Sequence, residues 1–237
     1  MPPRASVKNR DLKHDPALAA RLIKRDETPR EKSRARKMDK ILSVAVAVFA
    51  GEGGTGFSMR RIAENAGITL STLQHYFGNR DALLALTIDA LLTRYVTDYI
   101  DIGKDPTMSP RQRLEWVLDD LLSAGNDPVA RSFYANLWAT ATQDPAVRDI
   151  ARESYRRYYE ALGNLVAAMR PDLPAEHAES LGLAIAAQME GLLICGVMAP
   201  RDHAGWAQLT VNAKAVCFAM VENAGTRDLA TQRALHP

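Results

Sequence analysis

Only two cysteines, Cys195 and Cys217, occur in 237 residues. That is too few for a disulfide framework, and both fall in apolar helical runs where a free thiol is simply a small hydrophobe. A reducing cytoplasm suits such a chain. The N-terminus has no apolar h-region, and the run 41–50 is too short to cross a bilayer. Residues 181–199 are long enough, but Gln188 and Glu190 in their middle favour a helix buried by protein over one in lipid. Strand patterns, internal repeats and low-complexity tracts are missing too. No second His, Cys or acid stands at ligand spacing beside His75, and His177 with Glu176 and Glu179 reads as the charged first turn of a helix. Neither a metal nor a cofactor is expected. An enzyme using Cys195 as nucleophile would need a base, and the histidine of its helix, His177, stands about five turns away.

What the chain does have is apolar content, 47% of residues, arranged at helical period and sufficient for a sizeable core. Net charge is only +2, yet it is unevenly spread. Residues 1–37 hold 12 Lys/Arg against 5 Asp/Glu, and the remainder holds 18 against 23. A basic front and an acidic body are what a protein shows when its N-terminal part meets an anionic polymer.

Residues 57–80, FSMRRIAENAGITLSTLQHYFGNR, organise the rest. Ser58 stands where a hydroxyl can cap a helix, and Met59, Ile62, Ala63 and Ala66 share one face of it. Gly67 can take the left-handed backbone that closes that helix. Ile68 then points to the core, and Thr69 caps a second short helix with Leu73 and Phe77 on its buried side. Ala63 is small where the two helices cross. This is the spacing of a helix-turn-helix whose second helix is free to enter a major groove.

At these residues, and in the run LSTLQHYFGNRDALL that closes them, the chain resembles the tetracycline-repressor (TetR) family of bacterial transcription regulators. The resemblance is specific over about residues 33–92 and architectural beyond. It implies an all-α homodimer that binds a palindromic, double-stranded operator and represses transcription until a small-molecule effector enters its C-terminal domain. An activator, or a regulator answering to a protein, would share the fold. One departure is Gln74, where the family often carries tyrosine.

Local signals place about nine helices in an N-terminal helix-turn-helix head and a C-terminal ligand-binding and dimerisation domain. Residues 1–27 read as a basic flexible arm that adds phosphate or minor-groove contacts. Residues 28–78 form the DNA-binding domain, 79–225 the ligand-binding and dimerisation domain, and 226–237 a polar tail. Thr28-Pro29-Arg30-Glu31 is a capping box that starts helix one, which runs to about Ala50, with residues 51–56 as a loop. Asn79 can cap helix four. Ser109-Pro110, Asp127-Pro128 and Asp144-Pro145 each set a capping oxygen before a proline, starting helices near 110, 128 and 145. Pro171 and Pro174 stop the last of these. Helix eight spans about 175–198, residues 200–205 form a loop, and helix nine runs about 206–223.

Eight side chains are candidates for DNA contact. Ser71, Thr72, Gln74 and His75 lie toward the groove, and the donor–acceptor amide of Gln74 suits the N6/N7 edge of adenine. Tyr76, Arg80 and Arg60, with Ser58, are placed to hold phosphates, which sets register without reading sequence. A two-turn helix touches few base pairs, so two copies must read together. For the C-terminal domain, Trp116, Phe133, Leu137, Trp138, Tyr155, Tyr158, Tyr159 and Met189 recur at helical spacings, and the default account of such a set is a packed core. The family resemblance implies a pocket there, with Gln188 and Glu190 nearby. Glu190, if buried and unpaired, titrates high or needs a cationic or hydrogen-bonding partner; if exposed, it is merely solvated. The same resemblance implies a four-helix dimer seam using Gly182, Ala186 and Gly191 on one helix and Val211, Ala215 and Phe218 on the other.

Overall fold

The structure, a computed structural model, describes residues 29–198 and 203–225. The expected basic arm, the Thr28 capping box and the polar tail lie outside those residues. Nine α-helices and no strand are present among the described residues: α1 (Pro29–Gly56), α2 (Met59–Ala66), α3 (Leu70–Phe77), α4 (Arg80–Gly103), α5 (Pro110–Ala124), α6 (Pro128–Gln143), α7 (Pro145–Met169), α8 (Ala175–Met198) and α9 (His203–Glu222). They form two compact units, and the chain passes between them inside α4, between α5 and α6, and inside α7.

The first unit comprises residues 29–92 and 127–151 of the described chain. Its core joins Ile41, Ala45, Val48 and Phe49 of α1 to Ile62, Ala63 and Ala66 of α2, Leu73 and Phe77 of α3, and Leu83, Leu84 and Ile88 of α4. Phe49 packs edge-on to Phe57 at 6.2 Å and against Phe133 of α6 at 5.1 Å. α1 runs six residues beyond the expected stop at Ala50. It is interrupted at Gly53, whose φ of 66° and ψ of −170° bend the chain before one more turn forms. What holds that turn is distant in sequence. The side-chain amide of Asn136 donates to the carbonyls of Phe49 and Ala50, at 3.1 and 2.9 Å, so acceptors next to the break remain satisfied.

The second unit comprises residues 93–126 and 152–225. Tyr99, Leu114, Leu118, Leu162, Val166, Ile185, Met189, Cys217 and Val221 fill its core. The local start signals act as read. Ser109 and Gln112 form a reciprocal capping box, while Asp127 accepts from the amides of Val129 and Ala130, the latter two in the first turn of α6. Asp144 accepts from Ala146 and Val147 in the same way. α9 begins at His203, three residues ahead of the expected Trp206. Arg170, just past α7, donates to the carbonyls of Val221, Glu222 and Ala224 and so closes the end of α9.

Candidate nucleic-acid interface

The turn between α2 and α3 is built by short-range hydrogen bonds. Gly67 takes φ 70° and ψ 37°. The amide of Ile68 reaches back to the carbonyl of Ala63 at 3.0 Å, and that of Gly67 to Glu64 at 3.1 Å. This pairing ends a helix and turns the chain sharply. Thr69 Oγ1 then accepts from the amide of Thr72 at 3.1 Å and lies 3.0 and 2.8 Å from the hydroxyls of Ser71 and Thr72. Those two side chains are therefore oriented by the cap. Ser58 holds the extended backbone of an N-cap but, contrary to the expected capping, its side chain makes no cap hydrogen bond.

With Leu73 and Phe77 buried, α3 turns a polar face outward: Ser71, Gln74 and His75 are exposed, and Thr72 and Tyr76 are half-buried. Tyr76 is held on two sides. The His75 ring meets it at 5.8 Å, and the Arg34 guanidinium of α1 sits 5.8 Å from its ring centre. Ser33, Arg34 and Lys37 of α1 with His75 and Tyr76 of α3 line a shallow, open hollow of about 230 Å³. Two cations, a phenol and a hydroxyl on one concave surface offer the kind of donors that a phosphate oxygen accepts from. Ser33, Arg34 and Lys37 were not among the sequence-level candidates. A basic run early in a charged helix looks like a solvated face, and only the approach of α3 distinguishes these residues.

Arg60 is exposed on α2. Arg80 has a different environment from the one expected of a phosphate ligand. Its Nε donates to the Phe57 carbonyl at 3.1 Å, a second nitrogen donates to the Gly54 carbonyl, and the third pairs with Asp81. Its guanidinium thus braces the corner between α1 and α2. Asn79 caps α4 by accepting from the Ala82 amide at 2.8 Å.

The candidate effector residues separate. Phe133 and Leu137 are wholly buried in the first unit, with Phe133 against Phe49, and Trp138 lies 6.1 Å from Tyr134. Trp116, Tyr155, Tyr159, Gln188, Met189 and Glu190 belong to the second unit. There Tyr155, Tyr158 and Tyr159 form a triangle with ring centres 5.7 to 6.2 Å apart, and Tyr99 lies 6.1 Å from Tyr158. Met189 is core, and Trp116 packs against that core. Gln188 ties α8 to α9, donating to the Ala213 carbonyl at 3.1 Å and accepting from Cys217 at 3.4 Å. Glu190 is half-buried; one carboxylate oxygen is sealed from solvent without a hydrogen-bond partner, and burial pushes the carboxyl up to about 7.

The candidate seam residues divide as well. Gly182 is buried against α7: a Cβ there would lie 2.5 Å from the Gly163 backbone nitrogen, so this glycine serves close packing within the chain. Ala186 and Phe218 are also internal. Gly191 has nothing within 4 Å of where a Cβ would stand. Val211 is 61% exposed, Ala215 is exposed, and Leu183, Ile194 and Val216 add large apolar side chains about half exposed. α8 is also long and apolar enough to cross a membrane over Ala175–Gly196, but one of its faces is built into the core. Among the described residues no cluster of three His, Cys, Asp or Glu could hold a metal.

Residues 41–87 match the family model described as bacterial regulatory proteins, tetR family, and residues 110–222 match that of the BetI-type transcriptional repressor, C-terminal. An uncharacterized HTH-type transcriptional regulator in the dhlA 5' region of Xanthobacter autotrophicus is 27% identical over 173 residues, covering 70% of this chain and 82% of that one. The HTH-type regulator BetI of Burkholderia thailandensis is 29% identical over 152 residues, covering 62% and 74%. Among solved structures, a TetR transcription regulator from Haloarcula marismortui superposes with a TM-score of 0.64 at 20% identity over 78% of this chain and 96% of its own. A transcriptional regulator from Saccharomonospora viridis in complex with choline gives 0.62 at 16% identity over 82% and 97%.

Proposed function

Because the chain belongs to the TetR family of transcriptional regulators, we propose that it is a homodimeric repressor that occupies an inverted-repeat operator and leaves it when a small molecule binds the second unit. The observation that carries this reading is the outward face of α3. Its Ser71, Gln74 and His75 stand exposed beside the cationic hollow of Arg34 and Lys37. Gln74 reads a base edge, Ser71 and Thr72 flank it, and the hollow together with Arg60 and Ser58 holds backbone phosphates. Arg80 contributes by bracing the corner from which α2 and α3 project.

Dimerisation is part of the reading. Two-fold copies present two α3 helices at one helical turn of DNA, about 34 Å apart. The exposed apolar residues Leu183 and Ile194 of α8 and Val211, Ala215 and Val216 of α9, with the uncovered Gly191 between them, supply the seam, since large apolar side chains at this density rarely stay in water. Gly182, Ala186 and Phe218 support that seam from beneath. The choline held by the S. viridis relative favours a compact polar molecule as effector. Such a molecule lowers occupancy of DNA only as far as it prefers the conformation that fits DNA poorly.

Sedimentation velocity of the full chain, alone and with a bound duplex, tests the reading. A dimer that adds one duplex per pair of chains supports it. A monomer at micromolar concentration that binds DNA one chain at a time contradicts it.

A further inference from the structure

Among the described residues of the second unit, Oε1 of Glu190 and the hydroxyls of Tyr158 and Ser154 are buried without a hydrogen-bond partner, while Arg157, next to Tyr158 on α7, donates to the Thr93 hydroxyl of α4. Leaving such groups unsatisfied costs about 1–3 kcal/mol each, and more for a charged one, so a fold seldom gathers them without use. Ser154 and Tyr158 stand one turn apart on the same face of α7. Burial first, and then the charge of Glu190 on α8, raises the phenols of Tyr158 and Tyr159, so the carboxylate stands near both. Among the described residues no cationic side chain pairs with Glu190, whose carboxyl is raised by burial. Around this corner stand the rings of Tyr155, Tyr158, Tyr159 and Tyr99.

We infer that this corner is the effector site and that it takes a protonated primary or secondary amine, with Glu190 as counter-ion and Tyr158 and Ser154 as further hydrogen-bond partners. The inference rests on the regulator reading above and specifies its ligand. A carboxylate facing aromatic rings calls for a cation, because ring faces attract positive charge. The orphaned atoms then decide which cation. An ammonium group with N–H donors satisfies a carboxylate oxygen and hydroxyls together, whereas a quaternary nitrogen has no N–H to give them. The site thereby discriminates by donor count rather than by charge alone, and it favours 2-aminoethanol over its fully methylated form, choline.

Protonation supports the same assignment. Tyr158 is pushed well above its usual range, Tyr159 to about 12 and Cys217 to about 11, all by burial first. Near these rings also stand Asp120 of α5, which accepts from Tyr99, and Arg157 of α7, which donates to Thr93 of α4; among the shifted groups named here, Glu190, at about 7, changes charge around neutrality. A cation binds its ionised form, so affinity rises as the proton leaves.

The experiment uses the full chain and two N-methylation series, 2-aminoethanol to choline and benzylamine to benzyltrimethylammonium. Each compound, up to ~10 mM, is read by thermal shift and by release of a bound duplex. The expected result is binding that weakens stepwise with methylation and strengthens about tenfold between about pH 6 and about pH 8. Glu190→Gln is expected to weaken the amine about tenfold or more and abolish that pH dependence, Glu190→Asp to restore part of both, and Tyr158→Phe to narrow the gap between amine and quaternary ammonium. Tighter binding of the quaternary members, binding indifferent to Glu190→Gln, or no shift with any compound overturns the inference. Duplex binding without added compound is scored separately, and its absence would instead remove the regulator reading.

Discussion

Asn136 of α6 donates its side-chain amide to the carbonyl oxygen of Ala50, 2.9 Å away and 86 residues earlier in the chain, and to that of Phe49 beside it. This contact lets α1 pass through the left-handed Gly53 without leaving buried acceptors empty. Asn136→Ala is expected to cost about 1–3 kcal/mol, the penalty for orphaning buried carbonyls. Gly53→Ala should destabilise comparably, since φ of 66° strains any L side chain and the new Cβ would stand 3.0 Å from Asn136 Oδ1. Urea unfolding monitored by circular dichroism measures both, and a change under a few tenths of a kcal/mol in each would contradict the role.

The cationic hollow and the exposed face of α3 make separable contributions. Arg34→Ala and Lys37→Ala each remove one phosphate contact, so binding weakens about equally on all duplexes and the slope of log K against log salt falls by about 0.9 per residue. Arg80→Ala acts through its bonds to the Phe57 and Gly54 carbonyls. It lowers the melting temperature first, and DNA affinity only as the corner loosens. Fluorescence anisotropy at several salt concentrations distinguishes these outcomes.

On the second unit, Val211→Glu or Ile194→Glu places a charge on the exposed apolar face and is expected to shift sedimentation from dimer to monomer with the fold intact. Gly182→Ala does the reverse. Its methyl would collide with the Gly163 backbone, so stability drops through separation of α7 from α8. Equal effects of both classes on folding would remove the distinction between outer and inner faces.

Glu190 has a pH signature independent of any ligand. Its carboxyl is raised from an ordinary value near 4.5 to about 7. A group raised on folding contributes stability that is full below its unfolded value and is lost as pH climbs through the folded one. The wild-type chain is therefore expected to lose stability between about pH 5 and about pH 8 through this residue, and Glu190→Gln to flatten the curve over that window. Superimposable curves for the two proteins would contradict the buried carboxyl.

How much of this the sequence revealed follows from the range of the interactions involved. Gly67, Thr69, Asn79, Ser109, Asp127 and Asp144 act on residues two to five positions away, and their chemistry can be read directly from a linear string. The last turn of α1 could not, because four glycines in residues 51–56 signal a loop while the amide that satisfies the carbonyls before the break lies in α6. Periodicity marked Phe133 and Tyr155 alike as buried without saying that they belong to different units. It also marked Gly182 and Gly191 alike as small, although only one faces a helix of its own chain. Composition placed the positive charge in the front of the chain, but the pairing of Arg34 with Tyr76 requires α1 and α3 to be seen together.

The claim on which all else depends is that paired α3 helices read bases through their outward face. Selection of duplexes from random DNA by the full chain, run beside Gln74→Ala, tests it most directly. The account predicts an inverted repeat for the wild type and, for the variant, lost preference at one symmetric pair of positions, worth about 1–3 kcal/mol per contact. Enrichment of no repeat, or identical profiles from the two proteins, would contradict it.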